Sequence, residues 1–108
     1  MSKPAAVLVV TSVDSEAAAQ AMARAVVAER LAACVQVAPV ASVYRWGGGI
    51  EEAREWVCQM KTTPERIETL TARIRALHSY EVPEIIALPV LSGYPPYLQW
   101  VADSVGEA

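Results

Sequence analysis

Cys34–Trp46 (CVQVAPVASVYRW), Gly47–Gly49 and Ile50–Lys61 (IEEAREWVCQMK) decide the fold of this chain. The first stretch is rich in valine, which suits a pleated, half-buried surface. Pro39 interrupts it and has no N–H to give to a ladder, which places it at a sheet edge or a bulge, so the segment reads as a long strand kinked at the proline. Three glycines then make a turn. The stretch after them carries two periods at once. Ile50, Ala53, Val57 and Met60 fit a helix, whereas Trp56, Cys58 and Met60 fit one face of a strand. A glycine turn directly after a strand favours a hairpin, so Ile50–Lys61 is expected to be the second arm.

On the N-terminal side, Ala5–Thr11 (AAVLVVT) is a continuous β-branched run, the mark of a buried strand. Asp14 or Ser15 can cap a following helix whose apolar face is Ala19, Met22, Ala23, Val26 and Val27, ending near Arg30. On the C-terminal side, Thr62-Thr63-Pro64-Glu65 reads as a helix start, with Thr63 as N-cap ahead of Pro64, or Thr62 in a capping box with Glu65. Ile67, Leu70, Ile74 and Leu77 form the stripe of that helix. Glu84–Val90 (EIIALPV) is the last strand, its Pro89 again pointing to an edge or terminus. Tyr94-Pro95-Pro96 opens a final helix with Tyr97, Leu98, Val101 and Val105 turned inward.

The order β-α-β-β-α-β-α is the α+β, ferredoxin-like (split βαβ) arrangement with an extra C-terminal helix. At 108 residues the chain has room for one domain, 1–108. Its two middle strands are long for that size. Thirteen residues at ~3.3 Å each span ~43 Å, against roughly 34 Å for the diameter of a compact globule of this length. The protruding hairpin carries Tyr44, Trp46, Ile50 and Trp56, a costly set to leave in water. Self-association through the hairpin follows, with Trp46 and Trp56 at the interface.

Composition narrows the function. The chain is 54% hydrophobic and carries 12 acids against 9 bases, net −3, which excludes a disordered segment and offers no basic footprint for nucleic acid. No apolar run approaches the roughly 18 residues of a membrane span, and no basic-then-apolar leader opens the sequence. Two cysteines without C-x-x-C spacing, Cys34 and Cys58, fit free thiols in a reducing compartment. Fold does not supply function, so rival occupants of this architecture are tested by their sites. An acylphosphatase-like water site needs an asparagine, and the chain has none. A heavy-metal carrier loop needs C-x-x-C before the first helix, where Ser12-Val13-Asp14 stands. Gly47–Gly49 lies between strands, which does not suit a phosphate loop. With one histidine, no nucleophile–base arrangement is legible.

Several residues nonetheless carry chemistry. His78 closes the second helix, where an imidazolium meets the helix dipole favourably; imidazole is also a metal ligand. Glu81 and Glu84 flank Pro83 within reach of the same loop. Lys61 precedes the helix start at Thr62-Thr63, where backbone N–H groups favour anions, so it either holds an anionic ligand or pairs with Glu55 or Glu84. Cys34 and Cys58 sit among apolar neighbours and read as small buried hydrophobes.

Five blocks in one order resemble the CutA family of divalent-cation tolerance proteins: Leu31-Ala32-Ala33-Cys34-Val35; Ser42-Val43-Tyr44-Arg45-Trp46; Glu55 with Lys61-Thr62; His78-Ser79-Tyr80-Glu81-Val82-Pro83-Glu84; and Tyr97-Leu98-Gln99-Trp100. The likeness runs from about Val7 to Val101. Gln36 stands where the family usually has Asn, and Ser79 where it usually has Pro. Some members carry a cysteine and a second histidine where this chain has Val10 and Leu77, so of that pattern only His78 is retained. The resemblance implies a cytoplasmic, non-catalytic homotrimer of ferredoxin-like subunits, similar in architecture to the PII signalling proteins, with a role in tolerance of copper and other divalent metals and no organic cofactor. On it, His78, Glu81 and Glu84 are the metal-ligand candidates, while Tyr44, Trp46, Glu55, Lys61 and Thr62 are candidates for a cleft between subunits. A regulator taking a small anionic ligand in that cleft, or a structural trimer anchoring another protein, are the alternatives.

Overall fold

The hairpin is the longest feature of the fold. In the computed structural model, which describes residues 4–106, strand β2 (Cys34–Trp46) pairs antiparallel with β3 (Gly49–Thr62) along its whole length. The ends of the expected domain 1–108, residues 1–3 and 107–108, lie outside the described residues. Gly49 belongs to the strand and the turn is only two residues, Gly47 and Gly48, at φ +59° and +83°. Two consecutive positive φ values are what a tight hairpin requires to match strand twist, and glycine reaches them without a Cβ clash. The register advances one residue for one residue from Cys34 opposite Lys61 to Trp46 opposite Gly49. No extra residue opens a bulge at Pro39, which corrects that expectation. The other half of the argument stands, because β2 is an edge strand, where a missing N–H is tolerated.

Around the hairpin lie β1 (Val7–Val13), α1 (Glu16–Ala28), a 3₁₀ turn (Pro64–Arg66) leading into α2 (Ile67–Leu77), β4 (Ile85–Pro89) and α3 (Pro95–Ser104). The sheet order is β2-β3-β1-β4 with every neighbouring pair antiparallel. Each helix starts for a local reason. Ser15 caps α1, its hydroxyl accepting from Ala18 N at 3.1 Å. Thr63 is the N-cap of the 3₁₀ turn ahead of Pro64, but its side chain makes no capping bond. The Thr62 hydroxyl instead donates to the Leu31 carbonyl at 2.7 Å. α1 stops at Ala28 rather than Arg30, which sits at φ +61° and reverses the chain toward β2.

Strand alternation splits the sheet into two unlike faces. Val7, Val9 and Val13, with Cys58 and Met60 opposite, pack under Ala19, Met22 and Val26 of α1 and Leu70 and Ile74 of α2; these form the core. Val27, Leu77 and Tyr97, expected inside, are exposed, since each lies at an end of its helix and beyond the cover of the sheet. α3 contributes Val101 as its buried residue. A clasp ties its end to the α1–β2 turn: Arg30 Nε donates to Gly106 O at 2.7 Å, Arg30 Nη2 to Asp103 O at 3.0 Å, and Gly106 N to Arg30 O at 3.0 Å.

The register puts Leu8, Val10, Ile86 and Leu88 together on the opposite face, where Ile86 and Leu88 are 49% and 43% exposed. Tyr44 and Trp46 share this second face through the alternation of β2. Trp56 does not. It pairs with Val13 and packs against the helix-covered core, with the Arg54 guanidinium 5.8 Å from its ring centre. The two tryptophans expected at one interface therefore lie on opposite sides of the sheet.

Candidate functional site

The α2–β4 connection crosses the end of the second face and makes a cleft with the hairpin. Its volume is ≈ 530 Å³, and its walls are Ser12 from β1, Ser42, Val43, Tyr44 and Trp46 from β2, Glu55 from β3, and Tyr80, Glu81, Val82 and Glu84 from the connection. Pro83 keeps this segment out of helix and strand, so side chains rather than a backbone ladder hold it.

His78 does the holding. A carbonyl can only accept, so the 2.8 Å contact between His78 Nε2 and Ser12 O puts the ring proton on Nε2. Nδ1 then accepts from the Tyr80 amide at 3.1 Å. Both ring nitrogens are thus committed within the chain, and neither presents a lone pair to a metal. The tilted Tyr80 ring packs 4.8 Å from the imidazole. His78, expected as a metal ligand, is here a strut between β1 and the connection.

Tyr80 in turn reaches Glu55. Its hydroxyl donates to Glu55 Oε2 at 2.8 Å. Glu55 is only 9% exposed, and Oε1 makes no hydrogen bond among the described residues. Burial raises the Tyr80 phenol above its ordinary value, and the Glu55 carboxylate, then Asp14 and Tyr44, add to the rise. Tyr80 therefore stays protonated and donating at neutral pH, which keeps a carboxylate at position 55 solvated by the protein. Ser12 Oγ donates to Glu84 Oε1 at 3.2 Å, bringing a second carboxylate to the same wall. Glu81 adds a third.

Of the residues singled out in the sequence, Tyr44, Trp46, Glu55, Glu81 and Glu84 are brought together here. Lys61 and Thr62 are not. Thr62 faces the core through its bond to Leu31 O. Lys61 shares a face with Glu55 but lies six residues along β3, ~20 Å away at ~3.3 Å per residue; its ammonium donates to Gln36 Oε1, so neither expected ion pair forms. Ser12 and Tyr80 belong to the site and carried no signal beyond Tyr80's place in the loop motif. Among the described residues no three of His, Cys, Asp and Glu gather as a metal-binding group. Cys58 is buried and its thiol pushed up by desolvation; Cys34 is half-buried, and both are free.

The model of the CutA1 divalent ion tolerance proteins matches residues 7–104. The chain belongs to the CutA1 family. A divalent-cation tolerance protein CutA of Thermus thermophilus is 44% identical over 92% of this chain and 97% of its own length. Protein CutA of Mus musculus is 50% identical over 81% of this chain, which spans about half of the longer mouse protein. A solved CutA1 structure from Thermus thermophilus superposes with TM-score 0.91 at 43% identity, covering 94% of this chain and 99% of that one. The CutA1 match takes in every wall of the cleft, from Ser12 to Glu84.

Proposed function

We propose that this CutA1-family chain works as a non-catalytic homotrimer, in a reducing compartment such as the cytoplasm, that binds divalent metal ions, copper included, at the mouth of its cleft. One observation carries the reading: among the described residues, Glu55, Glu81 and Glu84 line the cleft and no Lys or Arg does. A wall of three carboxylates favours a cation and opposes an anion, so the anionic-ligand alternative loses its support. Glu81 and Glu84 are the exposed pair, and carboxylate oxygens suit divalent ions. A shell built on two carboxylates of one chain is incomplete, and a neighbouring copy seated on the Leu8, Val10, Ile86 and Leu88 face, where Ile86 and Leu88 are exposed, supplies the rest. His78 acts by holding the connection.

Titration of the assembled protein with Cu(II) and Zn(II) tests this. Glu81→Gln with Glu84→Gln is expected to weaken binding at least tenfold, whereas His78→Ala weakens it only as far as the connection loosens. Unchanged binding in the double variant, or loss confined to His78→Ala, overturns the ligand assignment.

A further inference from the structure

The inner end of the cleft has a character that a bare metal ion does not use. At ≈ 530 Å³ it falls within the ~300–1,000 Å³ range of small-molecule sites. Glu55 lies there nine-tenths buried, one oxygen bound by Tyr80 and Oε1 left open among the described residues. Tyr80 on the connection binds it, and Tyr44 and Trp46 of β2, 44% and 62% exposed, line the cleft onward toward the turn, opposite Glu51 and Gly49. Ring faces attract cations, more strongly as the site is desolvated, and a buried carboxylate gains most from a partner with N–H groups and positive charge.

We infer that this inner end binds a small organic ammonium ion, its charged head on Glu55 Oε1 and its apolar body against Tyr80 and, toward the turn, Tyr44. The inference rests on the reading of the cleft as a cation site but concerns other atoms than the metal proposal. An ammonium group satisfies Oε1 with one N–H donor and needs no converging ligand set, which matches the residues present. A neutral ligand would leave Glu55 uncompensated, and a carboxylate ligand would meet three like charges.

The probe is phenethylammonium, with 2-phenylethanol and phenylacetate as neutral and anionic counterparts, each titrated calorimetrically into the assembled protein at neutral pH. Phenethylammonium is expected to bind at least tenfold more tightly than 2-phenylethanol, and phenylacetate not to bind. Glu55→Gln keeps an acceptor for Tyr80 and is expected to erase that preference. Tyr44→Leu leaves the carboxylate in place and is expected to weaken phenethylammonium severalfold, a second check should Glu55→Gln fold poorly. Equal affinity for the ammonium and the alcohol, or tighter binding of phenylacetate, overturns the proposal. Zn(II) titration of the same samples separates the two readings: ammonium binding without metal binding sinks the metal assignment alone, and metal binding without ammonium binding sinks this one.

Discussion

Thr11 Oγ1 is buried in the helix-covered face and has no hydrogen-bond partner among the described residues. A hydroxyl taken out of water without compensation costs about 1–3 kcal/mol, so Thr11→Val, which keeps the shape, is expected to stabilise the protein by about 1 kcal/mol in denaturant unfolding. A lower midpoint would show that the hydroxyl is satisfied after all. Tyr80 gives the opposite case. Its phenol is raised in the folded state, chiefly by burial and then by the Glu55 carboxylate, so its contribution is full below the ordinary tyrosine value of 10.0 and drains away as pH climbs beyond it. Tyr80→Phe is expected to cost stability at pH 7, where the bond to a charged partner is worth about 1.5 kcal/mol. It should also flatten the loss of stability above pH 10, and paired melts at pH 7 and pH 11 would read both. Cys58, desolvated between Thr11 and Val37, is expected to resist alkylation until the chain unfolds, as peptide mass spectrometry with and without denaturant would show.

At the scale of elements, the hairpin depends on its turn. Gly48 at φ +83° has free space where a Cβ would sit, yet a backbone conformation that L residues avoid. Gly48→Ala is therefore expected to destabilise by ~1–2 kcal/mol through conformation rather than collision. Gly47, near φ +59°, is where asparagine is tolerated, and Gly47→Asn should come close to the parent in thermal melts. The order of elements, an edge or a bulge at Pro39 and a cap at Asp14 or Ser15 were legible in the sequence, because periodicity, proline and capping chemistry act locally. The helix ends were less so. Leu77 and Val27 continue their apolar stripes, and only the reach of the sheet decides that they stay exposed. The site divided the same way. Glu55, Glu81 and Glu84 could be picked out as carboxylates, but whether Lys61 meets Glu55 depends on distance along β3, and His78's role on two hydrogen bonds to backbone that leave no trace in composition.

For the whole molecule, the 44 × 29 × 21 Å extents record a subunit drawn out by its hairpin, with one sheet face sealed by α1 and α2 and the other carrying an exposed apolar patch at Ile86 and Leu88. Burying the Ile86 and Leu88 patch of that second face in the proposed trimer links folding to assembly. Ile86→Asp, on the exposed face and away from the core, is expected to shift sedimentation toward monomer and lower the melting temperature; a trimer unaffected by the charge would place the contact elsewhere. The uninterrupted hairpin register also restricts how the gene can change. Because side chains alternate, one codon lost from a single arm would swap inside for outside from that point to the turn, sending Tyr44 and Trp46 to the helix-covered side of the sheet. Lengthening or shortening this arm is therefore workable only in matched steps of two residues from each strand, and relatives with longer or shorter hairpins should differ by multiples of four residues about the glycine turn.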